Sequence, residues 1–298
     1  MPLESARSLR FSPVRLSLLR PLALLAASAL TLGCFGSPTP LAPSVRGSVG
    51  VPHRGTLTDA VPLAKKGPGY RRLRGDAIRW GHPRLVAAIE RAAAEVERQR
   101  PGTPVMVADL SAKHGGETPG HNSHRTGRDA DLLFYALTPA GLPVRSPGFA
   151  RFGPDGLARV GDKYLRFDVE RTWLLVRALV SDPEAELQWL FIAHWLEALL
   201  IEYARARGEP DDVVARAQAV LHQPGDSLPH DDHLHLRVAC SPDDAVAGCL
   251  GGGPRWSWLT PLPSLGAPAD NELLHAILDE VVVPPRAAAA AAARQSRP

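Results

Sequence analysis

Seven of the eleven histidines fall into two short windows: His114, His121 and His124 in one, His222, His230, His233 and His235 in the other. Acids accompany both windows, at Asp129, Asp131, Asp231 and Asp232. Neutral imidazole and carboxylate together are the donors that a borderline metal such as zinc prefers.

The first window reads Gly120-His-Asn-Ser-His-Arg-Thr-Gly-Arg-Asp-Ala-Asp131. His124 and Asp131 are separated by a turn-permitting Gly127, so a loop ligand and a strand ligand can converge on one ion. The second reads Leu228-Pro-His-Asp-Asp-His-Leu-His-Leu-Arg-Val238. On a strand, His233, His235 and Arg237 share one face, and Leu234, Leu236 and Val238 share the other. With the leucines in a core, both imidazoles stand over a site. One can ligate a metal at roughly 2.0–2.1 Å, and the other can face the reacting water. Three protein ligands and an open fourth position describe catalytic zinc, which lowers the pKa of its water to about 7. The helical motif His-Glu-x-x-His is absent, so this is not a metallopeptidase of that type.

The elements that must position these groups follow from periodicity. His82-Pro83 opens a helix with Leu85, Ile89, Ala92, Ala93 and Val96 on one face, stopped by Pro101-Gly102. Strands are expected over 105–110, 130–135, 187–193 and 234–238. Helices are expected over 170–181, 194–207, 211–222 and around 271–281. Helices and strands do not alternate regularly, which predicts an α+β fold with a central antiparallel sheet flanked by helices.

Residues 1–34 read as a signal peptide: Arg7, Arg10, Arg15 and Arg20 precede a short apolar run ending at Gly33. Cys34 follows directly, the position of a lipidated cysteine, although Thr31 stands where that pattern usually has Leu. Residues 35–67, rich in Pro, Ser, Gly and Thr, read as a flexible tether. The globular part is expected over 68–283, and 284–298 is a low-complexity tail. Lipidation of Cys34 would leave Cys240 and Cys249 to form a local disulfide in an oxidising compartment. Of 34 Lys+Arg and 31 Asp+Glu, residues 1–33 hold four and one, leaving 30 against 30. That balance gives no electrostatic reason to bind nucleic acid.

At these residues the chain resembles the penicillin-insensitive murein endopeptidases, zinc peptidases that share the fold and metal site of the lysostaphin, D-alanyl-D-alanine peptidase and hedgehog domains. The resemblance runs over about 75–250. It is carried by Trp80-Gly-His-Pro-Arg-Leu85, Val107-Ala-Asp-Leu-Ser111, Gly115-Gly116 and the two histidine motifs. It implies that His124, Asp131 and His235 ligate zinc, that His233 is the base or oxyanion-stabilising group assisted by His230, and that His121 holds a second ion or shapes the cleft. It also implies hydrolysis of D-alanyl cross-links of peptidoglycan, in the periplasm, by a protein that a lipid on Cys34 would tie to the membrane. A D,D-carboxypeptidase on uncross-linked stems and a non-catalytic zinc-stabilised wall-binding lipoprotein are the alternatives. Residues 139–168 do not align with the family pattern.

Overall fold

Leucines and histidines do alternate along the strand at 233–238, and the whole fold is arranged about that alternation. The computed structural model describes residues 46–225 and 227–263. Strands β1 (Ser48–Val51), β2 (Arg54–Leu57), β3 (Val61–Pro62), β4 (Lys66–Gly67), β5 (Tyr70–Arg72) and β6 (Trp80–Gly81) precede helix α1 (Pro83–Gln99). Next come β7 (Val105–Val107), β8 (Asp129–Leu133), β9 (Ala136–Leu137), β10 (Pro143–Val144), β11 (Leu157–Val160), β12 (Lys163–Phe167) and α2 (Val169–Ser181). The remainder is β13 (Leu187–Phe191), α3 (His194–Ala206), α4 (Asp211–Val220), β14 (Leu221–His222), β15 (His233–Val238) and α5 (Pro242–Val246).

The main sheet has the strand order β14-β13-β15-β8-β7-β5-β4. Its centre, β13-β15-β8-β7, is antiparallel as the sequence predicts. The outer pairs β13/β14 and β5/β7 are parallel, so the sheet is mixed. The reason is connectivity: β14 is reached from β13 through α3 and α4, and β7 from β5 through α1, and such crossovers return parallel.

Leu132, Leu234, Leu236 and Val238 face a core shared with all four long helices. Their neighbours Asp129, Asp131, His233, His235 and Arg237 therefore point to the opposite face. Helix α1 begins where His82 Nδ1 accepts the Arg84 N–H at 3.2 Å, with Pro83 at the first helical position. The cap contributes about 1 kcal/mol. Burial of Leu85, Val86, Ile89 and Val96 contributes about 1.5–3 kcal/mol each, so packing against the sheet holds this helix more than its ends do.

The expected tether is overturned from residue 46 onward. β1 and β2 form an antiparallel hairpin, and β4 joins the edge of the main sheet. The hairpin is clasped to the far end of the domain: Gly50 N–H donates to Gly248 O at 2.9 Å, and Leu250 N–H to Gly50 O at 3.0 Å. Very short strands with a single buried apolar side chain such as Leu57 leave no periodic signal. Their Pro and Gly content reads as linker although the strands pair along their backbones.

Cys240 and Cys249 form the expected disulfide. It closes a small loop around α5, worth roughly 2–3 kcal/mol by restricting the unfolded chain. Residues 139–168 contribute to a second sheet, of order β10-β9-β12-β11, anchored by Phe167 and Phe152 packed edge-on to Phe134. No helix among the described residues is long and apolar enough to cross a membrane. The predicted signal peptide, Cys34, the start of the tether, the helix around 271–281 and the tail lie outside the described residues.

Candidate metal centre

The register of β15 against β8 sets His235 directly opposite Asp131 and Arg237 opposite Asp129. Antiparallel neighbours at such positions have Cβ atoms about 4.5–5.5 Å apart, close enough for imidazole and carboxylate to meet. His235 Nδ1 lies 3.2 Å from Asp131 Oδ1. The loop before β8 delivers His124, whose Nε2 is 3.2 Å from the same oxygen. His233 Nε2 stands 3.4 Å from it, and His121 Nδ1 is 3.7 Å from Oδ2. One carboxylate is thus the hub of four imidazoles.

These contacts are not hydrogen bonds. Both oxygens of Asp131 and Nε2 of His124 are buried without a hydrogen-bond partner among the described residues. Ionised groups left this way cost several kcal/mol. Donor atoms around a tetrahedral ion, each about 2.0–2.1 Å from it, lie roughly 3.3–3.4 Å from one another. The three spacings to Asp131 Oδ1 lie close to that figure, the His121 contact to Oδ2 being longer, and the donor set of two or more imidazoles with one carboxylate suits zinc.

The outer atoms of the same side chains are all held. His124 Nδ1 donates to Leu110 O at 3.0 Å, leaving Nε2 to face Asp131. His235 Nε2 donates to Asp129 Oδ1 at 2.8 Å, which presents Nδ1 instead. His121 Nε2 pairs with Asp109 Oδ2 at 2.9 Å, and His233 Nδ1 with Asp232 Oδ1 at 2.6 Å. Partners of this kind fix the tautomer and the ring orientation of a metal-binding histidine.

The loop itself is strained into place. His124 is fully buried and has φ 65°, a left-handed conformation that costs a non-glycine residue about 1–3 kcal/mol. Its carbonyl accepts from the hydroxyls of Ser111 and Thr118. Gly127 has φ 73°, and a Cβ there would come within 2.4 Å of Leu57. The turn between His124 and Asp131 thus requires the glycine and rests on the N-terminal hairpin.

Electrostatics separates the acids and bases. Burial disfavours the Asp129 charge, but Arg237 and His235 outweigh it and hold the carboxyl well below the usual range. Burial likewise opposes ionisation of Asp131, yet His124 and His233 keep it well below its ordinary value. For His230, burial and then His235 and His233 push the imidazole down to about 3, so it is neutral. For His233, burial acts downward, and Asp131 and Asp232 overcome it, raising the imidazole to about 10.

All six histidine and aspartate positions singled out in the sequence converge. His230 packs beside the cluster, its ring centroid 5.1 Å from His233 and 5.6 Å from His235. Unassigned by the motifs are the partners Asp129 and Asp232, the Leu110 carbonyl and Phe149, whose ring meets His233 edge-on at 5.5 Å. Asp129 had a signal: it lies two residues before Asp131, on the same strand face.

Residues 48–145 match the family model described as penicillin-insensitive murein endopeptidase. The chain is related to the penicillin-insensitive murein endopeptidases. The enzyme of that name from Klebsiella pneumoniae is 38% identical over 88 residues, 29% of this chain and 32% of the relative. Those from Yersinia pestis and Pectobacterium atrosepticum are 36% and 38% identical over 87 residues, each match covering 28% of this chain and 31% of the relative. The chain thus spans about a third of the length of these murein endopeptidases. The family match contains His121, His124 and Asp131 and includes β1–β4, further toward the N-terminus than the motifs suggested. It stops short of His230, His233 and His235, which β15 and its approach bring to the same centre.

Proposed function

We propose that this chain is a zinc-dependent murein endopeptidase that hydrolyses D-alanyl peptide cross-links of peptidoglycan. The observation that carries the reading is the buried Asp131 carboxylate, without hydrogen bonds, ringed by imidazole nitrogens in a relative of the murein endopeptidases. His124, Asp131 and His235 hold the ion in this reading. When bound, zinc supplies an acidified water and polarises the scissile carbonyl.

The chain's own residues do the rest. Asp129 and the Leu110 carbonyl keep the two ligating imidazoles aimed at Asp131. Asp232 holds His233 Nδ1, so that Nε2 faces the centre, where the imidazolium stabilises the developing oxyanion, gives its proton to the leaving amine and regains one from the attacking water. Neutral His230 packs against both strand histidines and Phe149 against His233, limiting water on that side. The Cys240–Cys249 disulfide fits an oxidising compartment, and supports the periplasm as the site of action. Export by residues 1–34 and a lipid on Cys34 complete the proposal.

The experiment is digestion of purified cross-linked muropeptides by the zinc-loaded protein, with products weighed by mass spectrometry. Cleavage at the cross-link is expected. His233→Ala should retain zinc and lose hydrolysis, and full turnover by that variant would remove its role. Release of terminal D-alanine alone would make the chain a carboxypeptidase.

A further inference from the structure

Six side chains close a ring of contacts around the mouth of the centre. Asp131 touches His121 (3.7 Å), His121 touches Asp109 (2.9 Å), and Asp109 Oδ1 lies 3.2 Å from Arg74 Nε. The Arg74 guanidinium lies 5.3 Å from the centroid of the Phe149 ring, Phe149 meets His233, and His233 returns to Asp131 at 3.4 Å. Arg74 is therefore linked to the candidate ligands by two routes, through Asp109 and His121 and through Phe149 and His233.

Its environment is that of a held but incompletely used cation. Asp109 is buried and its Oδ1, which makes no hydrogen bond among the described residues, pairs ionically with Nε, whereas the Arg74 side chain is 51% exposed. Neither Nη atom makes a hydrogen bond among the described residues. Arg151, by contrast, is shared between Asp231 and Asp232, 3.9 Å from each. Beside Arg74, Met106, Ala108 and Leu133 form a small apolar cluster with Leu73 and Phe149 packed on it. A planar donor fork next to an apolar floor binds a carboxylate attached to a short aliphatic group.

We propose that Arg74 is a carboxylate-binding residue, and that the subsite it forms with the Phe149 floor selects wall peptides carrying a free α-carboxylate next to the scissile amide. The inference rests on the hydrolase reading above and adds the substrate group that the cleft recognises. Arg74 binds substrate and leaves the proton chemistry to His233.

The test uses the zinc-loaded full chain and two synthetic cross-linked peptides, one with that carboxylate free and one with it converted to a primary carboxamide. Wild type should show a KM about 10–100-fold lower for the acid, the range of a charge-assisted bidentate contact. Arg74→Ala and Arg74→Lys should erase the preference by raising KM for the acid alone, with kcat changed less than about threefold and zinc content unchanged. Equal losses on acid and amide, or a fall in kcat at constant KM, would overturn the subsite and make Arg74 a positioning residue for Asp109 and His121. Should wild type cleave neither peptide, the hydrolase reading falls, and calorimetry on the cleaved acid and amide peptides decides the subsite. Tighter binding of the acid, lost in Arg74→Ala, upholds it; equal affinities overturn it.

Discussion

Asp129 reaches across from β8 to His235 on β15, its Oδ1 2.8 Å from the imidazole Nε2 and 2.6 Å from Arg237 Nε. One buried carboxylate thus orients a candidate ligand and neutralises the guanidinium opposite it in register. The Asp131 carboxylate, two residues on, faces the centre with no hydrogen bond among the described residues. The period of the strand makes the first acid the support of the second.

Asp129→Asn keeps the shape and removes the charge. The amide no longer anchors the His235 N–H as a carboxylate does, and Arg237 loses its ionic partner. Zinc affinity should fall about 10–100-fold, the usual effect of losing such a partner. Competition with a chromophoric chelator measures it, with circular dichroism to confirm the fold. Unchanged affinity would mean that Asp129 serves only Arg237.

Asp244 should make the domain acid-sensitive away from the metal centre. Burial pushes its carboxyl up, but His82, Ser241 and the Ser48 N–H outweigh this and hold it down to about 2. Its ordinary value is 3.8, so the folded state binds the proton less readily than the unfolded chain. The sign follows: the stabilisation is complete above about pH 4 and is lost as pH falls toward 2. In urea titrations, wild type should exceed Asp244→Asn in stability at pH 6, and the gap should close by about pH 2. A gap that does not depend on pH would show that the carboxylate charge is irrelevant there. The groups involved tie β1, the start of α1 and the disulfide loop together, with His82 Nε2 3.1 Å from Asp244.

The site was more legible in the sequence than its supports. Alternation in His233-Leu-His-Leu-Arg-Val238 reveals which residues face the centre, because period 2 is a local property of a strand. Helix α1 is equally local, from its Pro83 start to its Pro101-Gly102 stop. What escapes is set by partners far away in sequence. The Leu110 carbonyl holds His124 through the path of the backbone, which no residue type announces. The predicted helix over 211–222 ends at Val220 because Leu221 and His222 pair with Leu190 and Phe191. Residues 46–67 and 139–168 hide short strands in turn-rich sequence, since each strand's stability comes from neighbours rather than from its own pattern.

Gly127→Ala tests whether the N-terminal hairpin is part of the centre. At φ 73° an added Cβ is strained, and it would strike Leu57 Cδ2 at 2.4 Å and approach the His82 N–H that bonds the Gly127 carbonyl at 2.7 Å. Left-handed strain and the clash together should cost about 2–4 kcal/mol. The effect should also reach the metal, because Ser111 Oγ accepts the Gly127 N–H at 3.0 Å and donates to the His124 carbonyl. A displaced Gly127 therefore releases the strained His124 loop, and zinc affinity should fall together with thermal stability. Leu57→Ala in the same background removes the clashing atoms and should restore part of the affinity while leaving the backbone strain. If Gly127→Ala lowers stability but binds zinc as wild type does, β2 supports the fold without supporting the ligand loop.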